Sequence, residues 1–260
     1  MHDTSPAEIR RLVRAGEWAG TTVGHAPDYV QANLVVLHRE LAYDFLLFCQ
    51  RNPKPCPLLE VTELGSSQIT HVAAGADLRT DLARYRIFRH GELIEEVGDI
   101  SDYWTDDMIG FLLGCSLTFE GALQKASIPV RHLEIGSMVS VYTTNIECTP
   151  AGCFSGPMVV TMRPIPGRLV SKAVTITARH PISHGAPVHI GDPAAIGIAD
   201  LSRPDFGDPV PIYEGETPVF WACGVTPQAV AMRTRPALMI THAPGYMFVT
   251  DYRADELHVP

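Results

Sequence analysis

Apolar and polar positions fall in short blocks along this chain, and the period of each block predicts an element. Ser5-Pro6-Ala7-Glu8 reads as a helix start, with Ser5 as cap, Pro6 at the first helical position and Glu8 reaching back. That helix should run to about Gly16. Residues Gln31 to Leu37 contain Leu34-Val35-Val36-Leu37, a continuous apolar run expected of a strand buried on both faces. In residues 39–50, Leu41, Phe45 and Phe48 recur at helical spacing. Asn52-Pro53-Lys54-Pro55-Cys56-Pro57 alternates proline with other residues, and each residue before a proline is pushed out of the helical region. A stiff connector is expected there. Residues 85–97 alternate and bend at His90-Gly91, which predicts a β-hairpin. Residues 106–126 predict the longest helix, with Met108, Ile109, Leu112, Leu113, Phe119 and Leu123 on one broad face. Gly114-Cys115-Ser116 interrupts it. Strands are expected at 129–134 and 139–144.

From Phe154 onward the texture becomes strand, turn, helix, repeated. Strands are predicted at Met158–Met162, Pro187–Ile190, Val219–Val225 and Leu238–Thr241, and helices at Gly167–Ala178, Pro193–Ile198 and Pro227–Arg233. Such alternation argues for an α/β layer with parallel strands.

Composition narrows the class. Of 260 residues, 46% are apolar and 19% charged, which supports a substantial core. Lys+Arg 20 against Asp+Glu 29 gives a net charge of −9 with no basic stripe, so no nucleic-acid partner is expected. No apolar run reaches membrane-spanning length, and the first residues carry Glu8, Arg10, Arg11 and Arg14 rather than a leader's apolar segment. Six cysteines without a Cys-x-x-Cys suit reduced thiols, so a cytoplasmic protein without membrane partners is expected.

The candidate chemistry concentrates in loops. His184-Gly185-Ala186-Pro187-Val188-His189-Ile190-Gly191-Asp192-Pro193 packs two imidazoles and a carboxylate before a helix start. The spacing and the proline forbid a metal-binding helix, so no metal is expected and proton transfer suits these histidines better. Asp192-Pro193 and Thr226-Pro227 each follow a strand and put proline near the first helical position. Helix starts point free N–H groups at anions, so the two turns together would accept a carboxylate. His242 ends the last of these predicted strands, in Thr241-His242-Ala243-Pro244-Gly245. Arg79, Arg131 and Asn145 are candidates for gripping a substrate carboxylate, since the guanidinium fork matches one. Cys115, read as mid-helix, and Cys223, at a strand end, are both expected in the core.

Several blocks are distinctive in wording and order: Gln31-Ala32-Asn33-Leu34, Arg51 to Glu60, Gly75 to Asp81, Gly114-Cys115-Ser116, Phe154-Ser155-Gly156-Pro157, His184 to Pro193, Phe220 to Gln228 and Thr241 to Gly245. With them the chain resembles the D-glutamate cyclase family, whose bacterial members carry a hydro-lyase label, from about Gly24 to Asp251. The resemblance implies a mixed α and β fold. A three-layer α/β sandwich, residues 1–60 with 154–260, would join a smaller two-layer α+β unit, residues 61–153. It implies carbon–oxygen lysis with loss of water, the best-known case being closure of D-glutamate to 5-oxo-D-proline. It implies no cofactor and carries over no residue role.

The residues themselves suggest roles for such a reaction. His184 or His189 would act as base with Asp192 orienting it, and His242 as acid. Gly224, Thr226 and Gln228 would hold an oxyanion or carboxylate at a helix start. The expected partner is a small-molecule carboxylate, with assembly into a homo-oligomer left open. The alternatives are a non-catalytic carboxylate-binding or regulatory protein and a metal-dependent hydrolase.

Overall fold

A computed structural model describes residues 4–256. Helix α1 (Pro6–Arg14) is capped by the Ser5 hydroxyl, which accepts from the Glu8 N–H at 3.3 Å. Strand β1 (Tyr29–His38) leads directly into helix α2 (Arg39–Arg51). Then come β2 (Leu58–Val61), a small ribbon of β3 (Gln68–Ile69) and β4 (Ala76–Asp77), and the hairpin of β5 (Tyr85–Arg89) and β6 (Glu92–Val97). Strand β7 (Met108–Gly114) is followed by α3 (Leu117–Lys125), the single turn α4 (Arg131–Glu134), β8 (Ser140–Glu147) and β9 (Pro157–Pro166). Helix α5 (Val170–Ala178) precedes β10 (His189–Ile190) and β11 (Glu216–Ala222). Helix α6 (Val225–Thr234), β12 (Met239–His242) and β13 (Phe248–Arg253) complete the order.

Two sheets dominate. The larger has seven strands in the order β2-β7-β1-β12-β5-β6, with β13 also on β1. The smaller has four, β10-β11-β9-β8. The larger takes strands from both of the stretches expected to form separate parts. Strand β1 is central, and its apolar run is buried on both faces as anticipated. Leu34 and Val36 join the cluster roofed by Val72, Leu78 and Leu82, whereas Val35 and Leu37 meet Phe45 and Phe48 of α2 and Val230 of α6. Burial of each such phenylalanine contributes on the order of 1.5–3 kcal/mol.

Three expectations fail, for physical reasons. The strand pairs are antiparallel, not parallel. The helices do not bridge neighbouring strands: α2 joins β1 to β2 with β7 between them, and α6 joins the small sheet's β11 to the large sheet's β12. Residues 106–126 are not one helix. Met108 to Gly114 pairs with β1 on one side and β2 on the other, and a strand buried on both faces shows the same dense apolar run as a helix stripe. The helix begins only at Leu117. Residues 131–134 form a helical turn rather than the expected strand.

One detail of β1 prepares the site. On the side away from β7, Val35 to Leu37 pair with β12 and Tyr29 to Ala32 pair with β13. The two partners part company between these stretches, opposite Asn33 and Leu34, and residues 243–247 loop over the gap.

Candidate active site

A cavity of about 580 Å³ opens at that gap. Asn33 of β1, Arg86 of β5 and His242 of β12 line it from the large sheet, and Val141 and Thr161 from the small one. Two strand-to-helix turns enter it side by side. Cys115 and Ser116 lie between β7 and α3, and Cys223 lies between β11 and α6. A cleft of this size, apolar on much of its wall and polar at a few points, is what small-molecule sites offer.

His242 is fixed by the break in the sheet. Leu34, left without a strand partner there, donates its N–H to His242 Nδ1 at 3.1 Å. The Gln228 amide of α6 lies 2.9 Å from the same nitrogen. A nitrogen that accepts cannot carry hydrogen, so the ring's hydrogen sits on Nε2. Burial, aided by the nearby Arg86 guanidinium, lowers the imidazole pKa to about 4. The ring is neutral at pH 7 and presents itself as a hydrogen-bond donor. Arg86 is half-buried, and its Nε is taken by Glu96 at 2.8 Å.

Behind the Cys115 turn sits a buried charge cluster. Arg163 of β9 is fully buried and reaches Glu120 of α3, with Nε 3.0 Å from the carboxylate and Nη2 also bonded to it. Its other donors go to Thr161 Oγ1 at 3.0 Å and Ser116 Oγ at 3.1 Å. The guanidinium lies over the rings of Phe119 and Trp221. Burial alone would raise the Glu120 pKa, but the Arg163 charge and His132 more than offset it and the group stays ionised. His132 Nε2 is 3.1 Å from the carboxylate but off the angle of a hydrogen bond. His132 also lines the cavity.

The second turn is backed differently. A Cβ on Gly224 would lie 2.0 Å from Asn33 Nδ2, whose amide donates to Gly114 O at 2.8 Å. Glycine is required there for space, since its φ of −64° is ordinary. Thr226 is spent on structure: its hydroxyl accepts from the Val159 N–H at 2.9 Å and meets the Val159 carbonyl at 3.2 Å, tying α6 to β9.

Of the candidates drawn from sequence, the structure brings His242 and Gln228 together at the cavity, with Gly224 and Thr226 in the adjoining turn. The others lie elsewhere. His184 is buried behind β7, where its Nδ1 donates to Lys54 O at 2.8 Å and burial lowers its pKa to about 4. Its loop presses on Gly114, where a Cβ would strike Ile182 O at 1.6 Å. His189, on the edge strand β10, bonds the Asp192 backbone carbonyl at 2.6 Å. Asp192 caps the following turn by accepting from the Ala194 N–H at 3.0 Å. Arg79 is paired with Asp77, and Arg131 with Glu216 and the Tyr213 ring. Asn145 is exposed against Gly197. Among the described residues no cluster of three His, Cys, Asp or Glu could hold a metal, and no helix is long and apolar enough to cross a membrane.

Sequence reasoning did not select Asn33, Arg86, His132, Glu120 or Arg163, and it assigned both cavity cysteines to the core. A signal existed: Gly114-Cys115-Ser116 and Cys223-Gly224-Val225 each close an apolar run with a cysteine and a small residue.

Comparison with known proteins agrees with the resemblance. The model of the family described as D-glutamate cyclase matches residues 109–251. A Stutzerimonas stutzeri protein named "Putative hydro-lyase" is 62% identical over 99% of this chain and 97% of its own. The Geobacillus kaustophilus protein "Putative hydro-lyase GK2103" is 62% identical over 98% and 97%. The Bacillus subtilis protein "Putative hydro-lyase YcsI" is 58% identical over 98% and 99%.

Proposed function

The chain belongs to the D-glutamate cyclase family, and from that premise we propose that it is a hydro-lyase acting on a small carboxylic or amino acid, with D-glutamate, closed to 5-oxo-D-proline, as the substrate to test first. The observation that carries this reading is the convergence of His242, Arg86 and the start of α6 on one cavity. Arg86 supplies a cation for a substrate carboxylate. The neutral His242 donates from Nε2 to an oxygen that gains charge in the transition state, the role a preorganised donor performs best in a water-poor site. The α6 start adds backbone N–H groups and the positive end of a helix dipole. Because His189 and Asp192 lie away from this cavity, His242 and the α6 turn are the part of the expected constellation that the reading retains.

The test is incubation of the purified protein with D-glutamate, L-glutamate and a panel of small hydroxy acids, with His242→Gln in parallel. Formation of 5-oxo-D-proline, reduced a hundredfold or so in the variant, is the expected outcome for one lost electrophilic donor. No turnover of any candidate, with a raised melting temperature on ligand addition, would point to a carboxylate-binding protein instead.

A further inference from the structure

Ring closure of glutamate is a problem in moving two protons. The ammonium nitrogen must lose two, and the departing carboxyl oxygen must gain two to leave as water. The carbon–nitrogen bond forms and a carbon–oxygen bond breaks. His242 cannot do this work, because its Nδ1 is committed to Leu34 and its ring stays neutral. His184 and His189 lie outside the cavity lining.

His132 also lines the cavity, but its Nε2 faces the buried Glu120 carboxylate at 3.1 Å. Two thiols in the cavity wall can. Of the six cysteines, Cys115 and Cys223 line the cavity, and they do so in equivalent ways. Each directly follows a strand, β7 or β11, and each directly precedes the cap of a helix, α3 or α6. At Cys223 the backbone N–H two residues on is directed at the sulfur, with Val225 N 3.5 Å from Sγ, and at Cys115 the Leu117 N–H lowers the thiol pKa against its burial. Arg163 lowers the pKa of both against their burial, and Cys223 bears on Cys115. Cys49, Cys56 and Cys148, by contrast, pack in the apolar cluster around Phe45 and Phe48.

We propose that Cys115 and Cys223 are the proton relay of the reaction, each passing one of the two protons from the substrate nitrogen to the departing oxygen. This inference rests on the hydro-lyase reading and names the groups that carry it out. One thiol protonates the side-chain carboxylate, and its thiolate takes a proton from the ammonium. The freed amine attacks the carboxyl carbon. In the tetrahedral adduct nitrogen and oxygen share one carbon, so a single sulfur can reach both. The second thiol then protonates the hydroxyl, water leaves, and its thiolate takes the second proton from nitrogen. Both sulfurs begin and end as thiols, and no other reactant is consumed. Burial agrees with that resting state, holding Cys115 up at about 12 and Cys223 at about 11. The helix N–H and Arg163 oppose that rise and favour the transient thiolate.

The test compares wild-type protein with Cys115→Ser, Cys223→Ser and the two alanine variants, with the exposed Cys153→Ser as control. The substrate is D-glutamate, and the readouts are kcat, KM and the melting shift induced by 5-oxo-D-proline. Each cavity variant should lose about a hundredfold or more in kcat, the usual contribution of a positioned proton donor, with the melting shift kept. Iodoacetamide should inactivate the wild-type protein by alkylating these two residues, and 5-oxo-D-proline should protect it. This arm does not depend on any variant folding. Wild-type kcat in either cavity variant would overturn the relay and leave the hydro-lyase reading standing. Failure of the wild-type protein to form 5-oxo-D-proline would overturn D-glutamate as its substrate and the relay with it.

Discussion

The two strand-to-helix turns at the cavity share a backbone plan but differ in what stands behind them. At Cys115 the helix brings Glu120 in its first turn, Arg163 and His132 close on that carboxylate, and Thr161 and Ser116 accept the remaining Arg163 donors. At Cys223 there is no charge in the first turn of α6, and the backing is steric and neutral: Gly224 against Asn33, and Thr226 against the β9 backbone. The same device is thus held by electrostatics and close packing on one wall and by close packing alone on the other. A thiol's surroundings, rather than its place in the chain, decide what it can do. Both turns should therefore be sensitive to added volume, at Gly114 and at Gly224, and only the first to loss of charge.

The largest expected effect breaks the charged wall. Arg163→Met leaves Glu120 buried beside His132 with its main counter-charge gone, which should cost roughly 3–5 kcal/mol in denaturant unfolding. Adding Glu120→Gln should recover much of that, because the uncompensated charge is then gone too. Equal additive losses in the double variant would show that the cluster is not one coupled unit.

The next effect is set by pH, because each turn is buttressed by a neutral histidine: His184 in the loop pressed on Gly114, and His242 against Gln228 of α6. Both fall from the ordinary 6.5 to about 4, chiefly through burial. The unfolded chain therefore binds more protons between those values. Stability should be fully present above pH 6.5, decline as pH falls, and level off near 4. Each group contributes on the order of 3 kcal/mol across the window. Unfolding measured from pH 7 to 4 should show this slope, and His184→Gln or His242→Gln should each remove about half of it. An unchanged slope in His184→Gln would mean the first turn has no such support.

These contrasts were only partly legible in the amino-acid order. Strand β1, α2 and the β5–β6 hairpin follow from local periodicity and turn chemistry, and the residues there agree with the fold at every level. The second turn was legible too, since Val219 to Arg233 reads as strand, turn, helix. The first was hidden, because Met108 to Leu113 fits a helical stripe as well as a doubly buried strand, and only long-range pairing with β1 and β2 decides. That one ambiguity moved Cys115 from a helix start to mid-helix. The imidazole-rich loop misled in the opposite sense. His184 and His189 satisfy backbone carbonyls of Lys54 and Asp192, a structural use that composition cannot separate from proton transfer. Arg163 and Glu120, 43 residues apart, carried no local mark at all.

On the packed wall, Gly224→Ala should cost about 1–3 kcal/mol, the usual range for overpacking, since the new Cβ displaces Asn33 Nδ2 from 2.0 Å away. Asn33→Ser in the same chain makes room and should return part of the loss. Ser116→Ala, the counterpart on the charged wall, removes one acceptor from Arg163 and adds no volume. It should cost about 1.5 kcal/mol and gain nothing from Asn33→Ser. If Asn33→Ser rescued both equally, the two walls would not be independent.

The finest distinction lies between the sulfurs themselves. Arg163 favours the thiolate of each, but Cys115 also feels Cys223 and the Glu120 carboxylate, which oppose it. Burial holds both up, yet Cys115 stands at about 12 against about 11 for Cys223. The pH profile of iodoacetamide alkylation, followed residue by residue by mass spectrometry, should thus rise at lower pH for Cys223 than for Cys115. A midpoint, unlike an absolute rate, does not depend on how easily the reagent enters. In Glu120→Gln the Cys115 profile should move down towards that of Cys223, while the Cys223 profile stays in place. Coincident profiles in the wild-type protein would mean that Glu120 is screened from the cavity and that the charged wall ends at Arg163.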